Sequence, residues 1–209
     1  MIPVKVLAVR YLANASPALA SGLGTPAGYP SLGLLTTDCD DATYIALDAA
    51  TKAADVEVAY GRSFYAGAAN ASTPHAGEVI GILAGATPGA VKSGMEAAFS
   101  ALERTGFEEI HGVPYLAHTV ASVGSYLAKE AGIPKGSALA YLIAPPLESM
   151  YALDAALKAA DVKLCKLYAP PSETNFGGAL LSGTQSACTA ACEAFAQAVA
   201  EVAEAPIVH

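Results

Sequence analysis

The sequence predicts an α/β (α+β) chain built as two similar lobes in tandem. Three observations predict it. The stretch Leu47–Val56, LDAATKAADV, returns at Leu153–Val162 as LDAALKAADV, with one difference, Thr51 against Leu157. Around each copy the same order is legible, β-α-β-loop-β-α, with one extra leading element per half. The chain has 209 residues, 54% apolar and 14% charged, enough for two cores of about 100 residues each.

The first half leads with PVKVLAVRYL (3–12), read as a strand, and continues with a second strand, SLGLLTTD (31–38). A helix follows from about Ala42 to Asp55, on which Tyr44, Leu47, Ala50 and Ala54 recur at helical spacing. VEVAYGRSF (56–64) alternates as a strand does, YAGAANASTPHAG (65–77) is a small-residue loop, and EVIGILAG (78–85) is a strand. The helix TPGAVKSGMEAAFSALER (87–104) has Thr87 to cap it, Pro88 in its first position and Gly106 beyond its end. Residues 105–118 read as a linker, with domains at 1–108 and 109–209.

The second half leads with TVASVGSYLAKEAG (119–132) and a strand, ALAYLIAPP (138–146). The copied helix ends near Asp161, followed by a strand (162–169), the loop PPSETNFGG (170–178), a strand (179–183) and a helix from about Gln185 to Val202. Layered α/β lobes with helices covering a sheet are what this order implies.

Net charge is −8 with no basic run, which argues against a nucleic-acid partner and is compatible with small cations. Mean hydropathy is +0.41, yet no run of about 18 uncharged apolar residues occurs, so no spanning helix is expected. The apolar surplus has two readings, a core of small residues or surface covered by subunit contacts. Met1–Lys5 lacks the basic start and long apolar stretch of a signal peptide. Cys39, Cys165, Cys188 and Cys192 form no CxxC pair. Cys188 and Cys192 share a helix face, as buried reduced thiols do, a metal or redox pair being the alternative. His75, His111, His118 and His209 show no HExxH spacing, and the chain has no nucleophile elbow, phosphate loop or GxGxxG. No enzyme activity and no cofactor are expected.

Asp48 to Lys52 and Asp154 to Lys158 are acid-first i,i+4 pairs, worth only about 0.3–0.5 kcal/mol each. Their duplication fits a pseudosymmetric assembly in which repeated lysines lie at repeated edges. Its alternative is a duplication that left the helix unchanged. The polar feature that differs between halves is TDCDD, with Asp38, Asp40 and Asp41, where the second half has PPLESM. Helix capping is one reading. The other adds Glu78 to Asp40 and Asp41 as an anionic pocket for a compact ammonium ion.

The stretches DDATYIALDAATKAADVEVAYGRSFYAGAA, TPHAGEV, AYLIAPPLE and APPSETNFGGALLSGTQSAC resemble the bacterial microcompartment shell domain. Specifically, the chain resembles the EutL-type tandem-domain shell proteins of ethanolamine-utilisation compartments along nearly its whole length. The resemblance implies two circularly permuted shell domains, each a β-sheet flanked by helices. It implies a homotrimeric pseudohexamer that tiles with other shell proteins into the shell of a cytoplasmic compartment, with no membrane partner. Lys52 and Lys158 would lie at the tiling edge, and the loops 61–75 and 169–177 would line a gated central pore. Ethanolamine would bind in small per-subunit pores through Asp40, Asp41, Glu78, the Phe107 carbonyl, Thr174, Asn175 and Phe176, favouring the closed gate. Two rivals are a non-tiling sensor with tandem α/β lobes and a metal-assisted hydrolase using Asp40, Asp41 and Glu78, for which Mg, Ca or Mn would suit the carboxylates.

Overall fold

The computed structural model describes residues 1–64, 78–170, 172 and 174–207. The strands are β1 (Val6–Leu12), β2 (Ser31–Thr37), β3 (Val56–Phe64), β4 (Glu78–Gly85), β5 (Glu108–Ile110), β6 (Val113–Val120), β7 (Ala138–Ala144), β8 (Val162–Tyr168) and β9 (Gly177–Gly183). The helices are α1 (Pro17–Leu23), α2 (Asp40–Ala53), α3 (Pro88–Leu102), α4 (Ser125–Ala131), α5 (Pro146–Ala159) and α6 (Gln185–Glu204). One sheet runs β1-β2-β4-β3 and the other β5-β6-β7-β9-β8, with antiparallel pairs throughout. The repeat is therefore three-dimensional. Even the register irregularity recurs, between Val58 and Tyr60 in β3 and between Leu164 and Lys166 in β8.

Contacts divide the chain into two units. The first holds Pro3–Gly106 with Gly124–Leu127, and the second holds Met1–Ile2, Phe107–Val123 and Ala128–His209. In the first, Leu47 on α2 is fully buried and packs on Gly81 of β4, where an added Cβ would meet the Leu47 side chain at 2.7 Å. Glycine there lets the helix lie close to the sheet. In the second, Ala152 and Ala156 of α5 and Phe195 and Val199 of α6 pack with Leu142 of β7 and Leu181 of β9. Every residue of β7 is buried, as a strand covered on both faces requires.

Two expectations need correction. Residues 105–118 are not a linker, because β5 and most of β6 lie there as a hairpin, with Ile110 opposite Val113. Its two-residue turn is His111 (φ 49) and Gly112 (φ 81), the left-handed pair that matches the twist of the flanking strands. The second correction is α1, which the sequence reading left out between the first two strands. It is a complete short helix. Ser16 Oγ accepts the Leu19 N–H, Pro17 begins the first turn, and Gly24 ends it at φ 67. It buries none of its own residues, so it shows no apolar stripe.

Candidate functional site: an acidic helix start and a capped tip

The α2 start is held by threonines. Thr37 Oγ1 accepts the Cys39 N–H at 3.2 Å and lies 2.7 Å from Thr43 Oγ1, which donates to the Cys39 carbonyl at 2.8 Å. Cys39 is the residue before the first turn and its side chain caps nothing. Burial, and then the nearby Asp41 charge, push its thiol well above the usual range. Asp38 lies outside this start, with Oδ1 accepting the Lys5 N–H at 2.7 Å. The capping reading of the acidic cluster therefore fails in its simple form, because no aspartate occupies the cap position.

Asp40 and Asp41 are instead the first two helical residues, and both are buried. Asp40 Oδ1 accepts the Asp41 N–H at 2.8 Å, and Oδ2 accepts the Ser63 hydroxyl at 2.5 Å. Ser63 Oγ is 2.8 Å from the Tyr44 hydroxyl. With its own proton on Asp40, Ser63 receives the Tyr44 proton, making a directed chain from Tyr44 through Ser63 to the carboxylate. The helix dipole adds to the stabilisation of negative charge at this end.

Glu78 opens β4, one residue before Val79, which lies opposite Ser63 in the sheet. It is 2% exposed, and among the described residues its Oε2 has no hydrogen-bond partner. A buried carboxylate oxygen calls for a donor, and none of the described residues supplies one. Among the described residues, no three His, Cys, Asp or Glu side chains are grouped as metal ligands.

In the second unit Phe107 is buried and its ring centroid lies 5.8 Å from that of Phe176. The Phe107 carbonyl accepts the Ile2 N–H at 2.6 Å. Thr174 is buried in a local turn, its Oγ1 accepting the Phe176 N–H at 3.3 Å, while Asn175 is exposed. The pore loop expected at 61–75 lies outside the described residues from 65 onward. Residues 171 and 173, within the loop expected at 169–177, also lie outside them.

Reasoning from sequence missed the role of Asp48. Its carboxylate is fully buried and accepts two backbone N–H groups at the start of α4, Leu127 on Oδ1 at 2.9 Å and Gly124 on Oδ2 at 2.7 Å. Beside it Thr51 Oγ1 accepts the Ser125 N–H at 3.0 Å, and the Ser125 hydroxyl donates to Glu57 Oε2 at 3.0 Å. Gly124 is required for this approach, since a Cβ there would sit 2.2 Å from Thr51 Oγ1. The rings of Tyr44 and Tyr126 pack at 6.0 Å. Asp40, Tyr44, Asp48 and Lys52 thus form one stripe of α2 at i,i+4 spacing. Lys52 Nζ is 3.5 Å from Asp48 Oδ2, and Lys158 Nζ is 2.5 Å from Asp154 Oδ2. Among the described residues no helix is long and apolar enough to cross a membrane.

The BMC domain model matches residues 31–114. The bacterial microcompartment shell protein EutL of Clostridium perfringens is 58% identical, covering 99% of this chain and 97% of that protein. Its Escherichia coli counterpart is 48% identical, covering 99% and 96%. The crystal structure of EutL from Leptotrichia buccalis superposes with a TM-score of 0.93 at 58% identity, covering 100% of this chain and 98% of that one. On its architecture and on this identity along its whole length, the chain belongs to the EutL family of bacterial microcompartment shell proteins.

Proposed function

We propose that this shell component serves a compartment that degrades ethanolamine, as a trimeric tile that binds the substrate and gates a central pore. As a structural shell protein it performs no turnover. In this reading three two-lobed chains form a hexagon-shaped tile, with Lys52 and Lys158 at its edges. The loops 61–75 and 169–177 surround the axis. Ethanolamine binds each chain through Asp40, Asp41 and Glu78, which receive its ammonium and hydroxyl. The resemblance assigns the remaining contacts to the Phe107 carbonyl, Thr174, Asn175 and Phe176.

The observation that carries the ligand reading is the buried Glu78 carboxylate, whose Oε2 has no hydrogen-bond partner among the described residues, in the unit that also buries Asp40 and Asp41. An ammonium group brings positive charge and up to three donors to carboxylates of this kind. Ethanolamine shifts the gate toward closure only so far as it binds the closed state more tightly than the open one.

Calorimetry on the full chain with ethanolamine tests this directly. Glu78→Gln and Asp41→Asn should each weaken binding at least about tenfold, the loss of one charge-assisted contact. Wild-type affinity in the double variant would overturn the assignment.

A further inference from the structure

The chain builds one joint and carries the parts of a second. Gly124–Leu127 seats on α2 and β3 within the first unit. Ser16–Leu19 is its counterpart in the repeat. Each tip follows a buried residue, Ala15 or Val123, whose N–H is bonded across to the Pro30 or Ser137 carbonyl. Each helix ends at a left-handed glycine, Gly24 or Gly132, with a second at Gly28 or Gly136. The seat is repeated as well, in the copied helix and in the bulge that β3 and β8 share. Yet Leu127 is 2% exposed and its counterpart Leu19 is 44% exposed. On the second seat Leu157 and Leu167 are 37% and 50% exposed.

We propose that the first turn of α1, Ser16–Leu19, docks on the α5–β8 face of a second copy of this chain, repeating between chains the joint that Gly124–Leu127 makes within one. This rests on the trimer reading above and names the contact that closes the ring.

The substitutions between the two joints argue for it, because they change in matched pairs. Inside the chain the large Tyr126 lies over Gly61, where an added Cβ would meet its hydroxyl at 3.0 Å. In the second joint the counterparts are Ala18 and Leu167, so the large and small members have exchanged sides. The Ser125 N–H donates to Thr51 inside the chain. Its counterparts are Pro17, which has no N–H, and Leu157, which has no acceptor. The Ser125 hydroxyl donates to Glu57, and its counterparts Pro17 and Lys163 lose donor and acceptor together. The Leu127 N–H needs Asp48, whereas the Leu19 N–H is taken by Ser16 of its own helix. Asp154 then pairs with Lys158 instead. Random drift in one joint would orphan a donor or open a gap, and here each loss is met by its partner.

One adjustment follows. Ser16 carries a Cβ where Gly124 has none, so the interchain tip sits farther from its helix and makes a mostly apolar contact. Among the described residues each chain offers one unseated tip and one open seat, a head-to-tail arrangement that forms rings when its rotation closes.

Sedimentation of the full chain reads this out. Wild type should run near three times the 21.0 kDa chain mass. Ala18→Tyr places a large ring against Leu167 and should reduce the trimer at least tenfold at equal concentration. Ala18 and Leu167 are both exposed in the chain, so the fold tolerates the change, as unaltered circular dichroism would show. Ala18→Tyr with Leu167→Gly copies the internal pair and should restore the trimer. A wild-type trimer that Ala18→Tyr leaves intact overturns the joint while the trimer reading stands. Dissociation without rescue overturns the pairing of Ala18 with Leu167. A wild type that is not trimeric removes the trimer reading and the joint with it.

Discussion

Helices α2 and α5 share nearly one sequence and hold opposite positions. On α2 the Asp48 carboxylate is 0% exposed and holds the start of another helix. On α5 the Asp154 carboxylate is 63% exposed and touches Lys158. Their first turns differ too, Asp40 and Asp41 against Pro146 and Leu147. Identity of letters therefore marks a common scaffold, and burial decides what each letter does. The same aspartate is a structural clamp in one copy and a surface ion pair in the other.

The largest effect should come from removing that aspartate in each copy. Asp48→Ala strands two buried N–H groups and should cost about 3 kcal/mol in denaturant unfolding. Asp154→Ala breaks an exposed pair and should cost under about 0.5 kcal/mol. Equal costs would break the comparison.

A smaller effect should come from Tyr44, whose counterpart is Met150. Tyr44→Phe removes the proton passed through Ser63 toward Asp40. Loss of one hydrogen bond, about 0.5–1.5 kcal/mol, should weaken ethanolamine binding by about two- to tenfold in calorimetry. Unchanged affinity would place this chain in the scaffold and outside the ligand site.

The order of elements was legible because strands and helices here keep clean periods and each half repeats the other. The paired helix termini at Thr87 and Pro88 were legible for the same reason, since Thr87 caps α3 as expected. Of the proposed site, the sequence offered the acidic residues as chemistry, and the ligand set comes only from the family resemblance; what the structure adds is the burial of Asp40, Asp41 and Glu78. What escaped had physical causes. α1 packs no apolar stripe of its own, so its only marks are Ser16, Pro17 and Gly24. The β5–β6 hairpin turns on His111 with a positive φ, a conformation that few side chains adopt and no propensity announces. Asp48 read as half of a local ion pair, because its partners lie more than seventy residues away. Long-range backbone capping leaves no local pattern. The two members of each matched pair at the second joint are likewise too distant in sequence to be noticed before the first joint is seen.

The central proposal is that this chain is a tile whose repeated halves make a pseudo-sixfold body with lysines at its edges. Electron microscopy of the purified full chain, beside a Lys52→Ala and Lys158→Ala variant, tests it most directly. The wild type should form flat particles with threefold symmetry that pack into hexagonal sheets, and the variant should keep the particles and lose the sheets. Wild-type single chains without threefold particles, or sheets unchanged in the variant, would contradict it.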